Sequence, residues 1–462
     1  MYENEKLRLV GDIYHAHHNV SQATSPATID AYNYRYVLRK EPFGAAVYDR
    51  EKSKYYFINT EVTKSILEQE TMINSVKKEF DDCGLDSSFS VDDFIIIDRC
   101  PSKLDTALSA PLRVYIDTTY ECNLSCDYCY NKLDEKDAET MSLEDYANLF
   151  SQMQDAGVYK LSIAGGEPFA DKRIFEIVSM ARERGITVSM TSNGTMLNAK
   201  IIEGLTKSGI KRLTISLDSA TPSIAERLRP GLKFDRLIRN IKLLGGIGVD
   251  ISLKCTFNVD MPRDEVVRLV ELADSIDCIS SIKFNFERDL VAPFYHAELD
   301  EVKRYFELFH FIESLKKDSS VKIILNQMNP AMSPTKVMSS RVGIGCPAGR
   351  DLMYINPYGE VKGCALLSKD FVAGNIKNSS LLDLWLNSEQ MKKLKNYPLG
   401  DKCINCKYIE SCRGGCTQRR VLNGGMSVHD YYCFKDVESF FNIDEPRYIC
   451  SNTVESYELS HL

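Results

Sequence analysis

An α/β fold built on a parallel sheet is predicted by three observations. Six short apolar, β-branched runs recur between residues 113 and 287. A helical pattern fills each interval between them, and polar or Gly-rich turns follow the C-terminal ends of the runs. Strands alternating with helices make a parallel sheet with outer helices, and a partial (β/α)6 barrel is its natural closure. Reactive residues then belong at the C-terminal strand ends.

The elements follow in order. Residues 1 to 30 carry little signal, and Tyr14-His15-Ala16-His17-His18 reads as solvated or packing histidines. Tyr34–Leu38 reads as a strand. Gly44–Asp49 and Tyr55–Asn59 flank the charged turn Arg50–Lys54, a hairpin signal. Asn59 or Thr60 then caps a helix through Leu67, and a second helix is expected over Met72–Cys83. The barrel strands are Arg113–Thr118, Tyr159–Ala164, Thr187–Thr191, Leu213–Leu217, Ile251–Phe257 and Ser281–Glu287. The helices between them are Ser142–Ala156, Lys172–Arg184, Asn198–Ser208, Asp235–Leu244 and Arg263–Ser275. Residues 341–440 are loop-rich, with many Gly and Cys, and need metal ligation for stability. The last thirty residues read as a mixed tail. The expected domains are 1–105, a small α+β unit; 106–320, the barrel; 321–440, the cysteine-rich unit; and 441–462, the tail.

Composition narrows the function. The chain has 462 residues and a net charge of −8, which disfavours nucleic acid as the main partner. No apolar run approaches the ~18 residues of a membrane span, and the polar start Met1–Lys6 is no secretory signal. A cytoplasmic protein without membrane or nucleic-acid partners is the expectation. Fifteen cysteines are many for a reduced compartment, and three sit at 122–129 with seven more between Cys346 and Cys433. Such clustering points to metal rather than disulfides. Cys83, Cys100, Cys255, Cys278 and Cys450 remain as inert thiols.

Four motifs follow successive strands. Cys122-x3-Cys126-x2-Cys129 lies after the first and offers three thiolates. Three thiolates hold three irons of a 4Fe–4S cubane and leave the fourth open for a small ligand. A zinc knuckle would need four ligands and usually two C-x2-C units. Tyr128, between the last two cysteines, can flank the cluster and the adenine of a nucleoside. Gly165-Gly166-Glu167-Pro168 follows the second strand; its glycines allow close backbone approach to a ligand, and Glu167 offers a carboxylate to a ligand ammonium. Taken alone, it could also be a turn. Ser192 and Asn193 follow the third strand, and Ser216 and Asp218 end the fourth, suiting a ribose and an amino-acid carboxylate. Arg229 is the cation for that carboxylate. Ser216 or Asn193 could equally cap a helix. Glu287 and Arg288 end the sixth strand and face the same crevice.

In this order, the motifs resemble the radical S-adenosylmethionine (SAM) superfamily over Leu112 to Leu290. The resemblance implies catalytic Cys122, Cys126 and Cys129 holding the SAM-binding 4Fe–4S cluster. It implies SAM contacts at Tyr128, Gly165, Gly166, Glu167, Pro168, Ser192, Asn193, Ser216, Asp218 and Arg229. SAM is then cleaved to methionine and 5′-deoxyadenosine, and a hydrogen is taken from substrate. Cys346, Gly359-x4-Cys364, Cys403-x2-Cys406-x5-Cys412-x3-Cys416 and Cys433 resemble the SPASM extension of that superfamily. By that pattern Cys403, Cys406, Cys412 and Cys433 hold an outer auxiliary 4Fe–4S cluster. Cys346, Cys364 and Cys416 hold an inner one, making three clusters in all. The motif supplies seven thiolates, and residues 338–345 add none. The inner cluster therefore keeps an open iron unless Cys255, Cys278 or a non-cysteine group completes it. Residues 34–99 resemble the winged-helix recognition element of maturation systems for ribosomally made peptides (RiPPs).

The three parts together resemble RiPP maturases. The implied partners are a precursor peptide, whose leader adds a strand to the N-terminal hairpin edge, and a flavodoxin- or ferredoxin-type electron donor. An open inner iron favours an intramolecular thioether crosslink. Carbon–carbon or carbon–oxygen crosslinking is the alternative. So is a sulfatase-type formylglycine-generating maturase, although those relatives usually carry Asp where this chain has Ala365. A non-catalytic iron–sulfur electron carrier would not need the strand-end motifs in order.

Overall fold

The computed structural model describes residues 9–10, 34–68, 77–78, 80–81, 85, 93–98, 108–132, 139–286, 297–325, 345–396, 398–441 and 454–457. Two sheets organise them. The first has six strands: β1 (Leu9–Val10), β2 (Tyr36–Glu41), β3 (Gly44–Asp49), β4 (Lys54–Asn59), β5 (Phe94–Ile97) and, from the far side of the sequence, Val454–Tyr457. β2, β3 and β4 form the expected antiparallel meander. The turn after β3 closes because the Asp49 carboxylate accepts from the amides of Glu51 (2.9 Å) and Lys52 (3.0 Å). Asn59 caps the helix Thr60–Leu67 by accepting from the Val62 amide at 2.9 Å. The second helix expected there falls largely outside the described residues.

Period-two alternation splits this sheet between two cores. Tyr36, Leu38, Val47, Tyr56 and Ile58 pack with Val62, Ile66 and Phe80. Val37, Ala46, Tyr48, Tyr55 and Phe57 face the main core, which they share with the barrel. A strand covered on both faces reads as an unbroken apolar run, as Phe94-Ile95-Ile96-Ile97 does.

The second sheet holds the predicted strands in order: β6 (Arg113–Asp117), β7 (Lys160–Ala164), β8 (Thr187–Ser192), β9 (Arg212–Ser216), β10 (Asp250–Phe257) and β11 (Ile279–Phe286), all parallel. The helices Leu143–Asp155, Ile174–Glu183, Ala199–Ser208, Phe234–Gly246 and Arg263–Asp274 cross between them. Two further parallel strands extend the wall. β12 (Lys322–Leu325) pairs with β11, and β13 (Leu352–Ile355) pairs with β6 on the other side. β14 (Glu360–Lys362) and β15 (Gly374–Asn375) continue antiparallel. The barrel and the cysteine-rich segment therefore share one ten-stranded sheet rather than meeting across a linker. The strand Val454–Tyr457, numbered β16, pairs with β4, so four residues of the segment read as a mixed tail belong to the first sheet.

Leu108–Leu112 is where the parts are tied. The buried Arg39 guanidinium donates to the carbonyls of Ala110 (2.9 Å) and Pro111 (3.0 Å), and to Glu41 at 2.6 Å. Glu41 accepts in turn from the Ser109 amide at 2.7 Å. Tyr55 donates to the Leu112 carbonyl (2.7 Å), and Trp385 donates to the Leu108 carbonyl (2.9 Å). Burial pushes the Glu41 carboxyl upward, and Arg39 opposes that shift. Arg39→Met strands this carboxylate without its cation, which costs about 3–5 kcal/mol. Tyr55→Phe removes one hydrogen bond at about 1 kcal/mol. Thermal melts of the two variants should therefore rank Arg39→Met well below Tyr55→Phe; equal melting would show that the junction is not held by the ion pair.

Candidate functional site

β6 delivers a loop, Thr118–Tyr130, onto the end of β7. The contact is backbone to backbone. The Gly166 amide donates to the Thr119 carbonyl (2.7 Å), and the Glu167 amide to the Glu121 carbonyl (2.8 Å). Gly165 has φ +131°, and a Cβ there would lie 2.4 Å from the Thr119 carbonyl oxygen. At Gly166 it would lie 2.2 Å from the Glu121 carbonyl oxygen. The glycines expected to admit a ligand thus admit the cysteine loop itself. Pro168 opens a short 3-10 turn behind them.

Glu167 is fully buried. Its carboxylate accepts from the Ser192 hydroxyl (2.8 Å), the Asn193 amide (2.7 Å) and the Phe169 amide (3.3 Å). Burial pushes it up to about 7 against the pull of these donors. The group expected to meet a ligand ammonium is turned onto the end of β8 and fastens two strand ends together. Asn193 continues the chain of contacts. Its side-chain amide donates to Asn123 at 3.0 Å and to the Cys122 sulfur at 3.7 Å, while Asn123 donates to Thr195 at 2.8 Å. The Leu124 amide also donates to the Cys122 sulfur, at 3.4 Å. Donors aimed at a sulfur stabilise its thiolate and tune a cluster bound to it.

The end of β9 holds the loop from the other side. Ser216 closes the strand half-buried, and Asp218 is buried just beyond. Arg229 grips Asp218 through two hydrogen bonds of 2.6 and 2.9 Å, and the Thr256 amide adds a third at 2.8 Å. The Tyr128 hydroxyl donates to the same carboxylate, and the Arg229 guanidinium lies 5.5 Å from the Tyr128 ring centre. Arg229 therefore spends its fork on Asp218, where the sequence reading gave it a ligand carboxylate.

A tyrosine cluster lies on the β6 side. Asp117 accepts from Tyr130 (3.1 Å) and Tyr354 (2.6 Å); Tyr115 lies 3.4 Å from Tyr130, and Tyr120 lies 3.3 Å from Tyr354. It joins the cysteine loop to β13. The sequence reading missed it. The available signal was Asp117, a carboxylate closing a buried parallel strand.

None of the twelve described cysteines is in a disulfide. Cys122, Cys126 and Cys129 stand on the loop. Cys403, Cys406, Cys412 and Cys433 line one cavity. Among the described residues no three Cys, His, Asp or Glu groups converge to hold a single metal ion. Cys346 and Cys416 are buried neighbours, and Cys364 follows β14 half-buried. Asp430 braces this unit. It takes two 2.7 Å hydrogen bonds from Arg419 and one of 2.7 Å from the Cys416 amide. Cys255 and Cys278 are engaged elsewhere, with their sulfurs 3.5 Å from the carbonyls of Asp218 and Ile241. The histidines at 15–18, Cys83, Cys100, Cys450, Glu287 and Arg288 lie outside the described residues.

Residues 116–276 match the family profile described as the radical SAM superfamily, and residues 346–416 that of the SPASM iron–sulfur cluster-binding domain. The mycofactocin maturase MftC of Mycobacterium tuberculosis is 24% identical over 334 residues, 71% of this chain and 84% of that protein. The antilisterial bacteriocin subtilosin biosynthesis protein AlbA of Bacillus subtilis is 25% identical over 320 residues, 65% of this chain and 67% of that protein. The crystal structure of Streptococcus suis SuiB bound to precursor peptide SuiA superposes with a TM-score of 0.65 at 17% identity, over 86% of this chain and 97% of that one. That last likeness is one of fold.

Two outcomes follow. Gly166→Ala drives a Cβ into the Glu121 carbonyl, so the purified variant should hold less iron than the parent; an unchanged iron count would refute the steric role. Burial also pushes the thiols of Cys412 and Cys433 up to about 12 and raises Cys403 and Cys346. A thiol that ligates iron would have to release this proton first, so iron retention against a chelator should weaken as pH falls from about 8 to 6. A flat profile would contradict it.

Proposed function

We propose, for a chain that belongs to the radical SAM superfamily and carries a SPASM iron–sulfur cluster-binding domain, that it matures a ribosomal precursor peptide by forming an intramolecular thioether. Cys122, Cys126 and Cys129 are the ligands of the SAM-binding cluster. Two auxiliary clusters bring the total to three. Cys403, Cys406, Cys412 and Cys433 hold the outer one, and Cys346, Cys364 and Cys416 the inner one. The chemistry supplied on binding is reductive cleavage of SAM to methionine and 5′-deoxyadenosine, with abstraction of a hydrogen from substrate.

The residues of the chain orient and exclude. Asn193 and the Leu124 amide hold the Cys122 sulfur. Tyr128, Asp218 and Arg229 fix the other half of the loop, leaving the Tyr128 ring to flank the nucleoside. Ser216, Ser192 and the backbone of Gly165 to Pro168 complete the proposed SAM seat at the strand ends. The first sheet packs on the barrel through Tyr55 and Leu112, and an added strand at its edge would present a peptide to the same molecule. The proposed domain limits remain 1–105, 106–320, 321–440 and 441–462, with a cytoplasmic location and a flavodoxin- or ferredoxin-type reductant.

One observation carries the choice of thioether. The inner set has three cysteines, and the spare barrel cysteines Cys255 and Cys278 have their sulfurs against backbone carbonyls. An inner iron without a protein thiolate suits a substrate cysteine sulfur. Carbon–carbon or carbon–oxygen joining is the second reading, and it gains if that iron proves fully ligated. Ala365 after Cys364 speaks against formylglycine formation.

The test is anaerobic incubation of the reconstituted protein with reductant, SAM and the precursor encoded beside its gene. The product should be two hydrogens lighter per crosslink, with the joined cysteine resistant to alkylation. Two hydrogens lost with every thiol still alkylatable would move the reading to carbon–carbon joining. Cys126→Ala should abolish release of 5′-deoxyadenosine; release at the parental rate would overturn the assignment of the loop.

A further inference from the structure

The outer side of an edge strand is a row of backbone donors and acceptors that pairs with any extended segment able to reach it. β4 is fully paired on one side, with β3 from Gly44↔Asn59 to Asp49↔Lys54. Its other side is held by the chain's own β16, antiparallel, from Val454↔Ile58 to Tyr457↔Tyr55.

We propose that β4 is an exchangeable peptide seat and that residues 454–457 are its built-in occupant, which must leave before an external extended peptide pairs there. The identity of that peptide, a precursor leader, rests on the maturase reading above. Three observations support the exchange. β16 pairs with no strand but β4 among the described residues, over four positions where β3 takes six. A few edge hydrogen bonds at about 1 kcal/mol each do not by themselves offset the roughly 1–2 kcal/mol per residue of ordering this backbone. The tether, with an effective concentration on the order of mM, is then what keeps β16 in place. Finally, β4 does not depend on its occupant. Tyr56 and Ile58 are locked in the first core, Tyr55 and Phe57 in the second, and Tyr55 is bonded to Leu112. The seat survives when the strand departs, which a covering piece with only a protective role would not require.

The probe is a fluorescein-labelled synthetic peptide of residues 451–462. It is titrated into three reconstituted proteins: the full chain, the chain lacking residues 451–462, and the full-length Glu455→Pro, Ser456→Pro variant, whose prolines cannot donate to β4. Both variants should bind the probe about tenfold or more tightly than the full chain. Unlabelled peptide should compete, and a peptide carrying the two prolines should not. Iron content and SAM cleavage without peptide should match the parent. Equal affinity for all three proteins, or no binding to either variant, would overturn the proposal. So would loss of iron from both variants, which would make β16 a structural strand. Absence of SAM cleavage in every protein would sink the maturase reading instead and leave the binding comparison intact.

Discussion

The close approach of two backbones is the constraint on which the site depends. A loop carrying three thiols can lie on the end of β7 only where two successive residues have no side chain. Thr119 and Glu121 then receive amide hydrogen bonds from Gly166 and Glu167. Everything else in the site fastens that contact from its flanks. Glu167 reaches across to β8, Asn193 reaches back to Cys122, and the Tyr128–Asp218–Arg229 group holds the second half of the loop to β9. Four parallel strand ends are thus joined side chain to side chain. The crevice that a parallel sheet leaves at its C-terminal edge becomes a fixed cup rather than a set of separate turns.

Much of this fold was legible because its signals are local. The six barrel strands and five crossing helices carry clean periodicities, and each was placed within a few residues. The hairpin of β3 and β4 was readable from its turn and its aromatic, β-branched flanks. β12 and β16 were not, since each is four residues long and is ordered by the strand it joins. The continuation of the sheet into β13 was equally hidden. Its pairing with β6 links positions more than two hundred residues apart, and no spacing rule registers that.

The site divides the same way. Cysteine spacing singled out the trio that stands on the loop and the four sulfurs that line one cavity, because spacing is a local pattern in sequence. Polar residues without fixed spacing did not. Glu167 and Arg229 were read as facing a ligand, and in the structure their charged ends meet Ser192, Asn193 and Asp218. A buried charge takes the nearest partner that offsets its desolvation, and that partner came from another strand. The Asp117–tyrosine cluster was missed for a related reason. Its members come from β6, the loop and β13, so the group exists only after the sheet has closed.

The grip on Leu108–Leu112 bears on how such proteins can be rebuilt. Five residues of connecting chain accept or receive contacts from Arg39, Glu41, Tyr55 and Trp385, that is, from the units on both sides of the barrel. A chimaera that transplants a foreign N-terminal module onto this barrel would inherit the carbonyls of Ala110, Pro111 and Leu112 without their donors. Modular swapping here is a problem of matching a five-residue splice, and grafts that carry Arg39, Glu41 and Tyr55 with them hold the advantage over grafts cut at the apparent boundary.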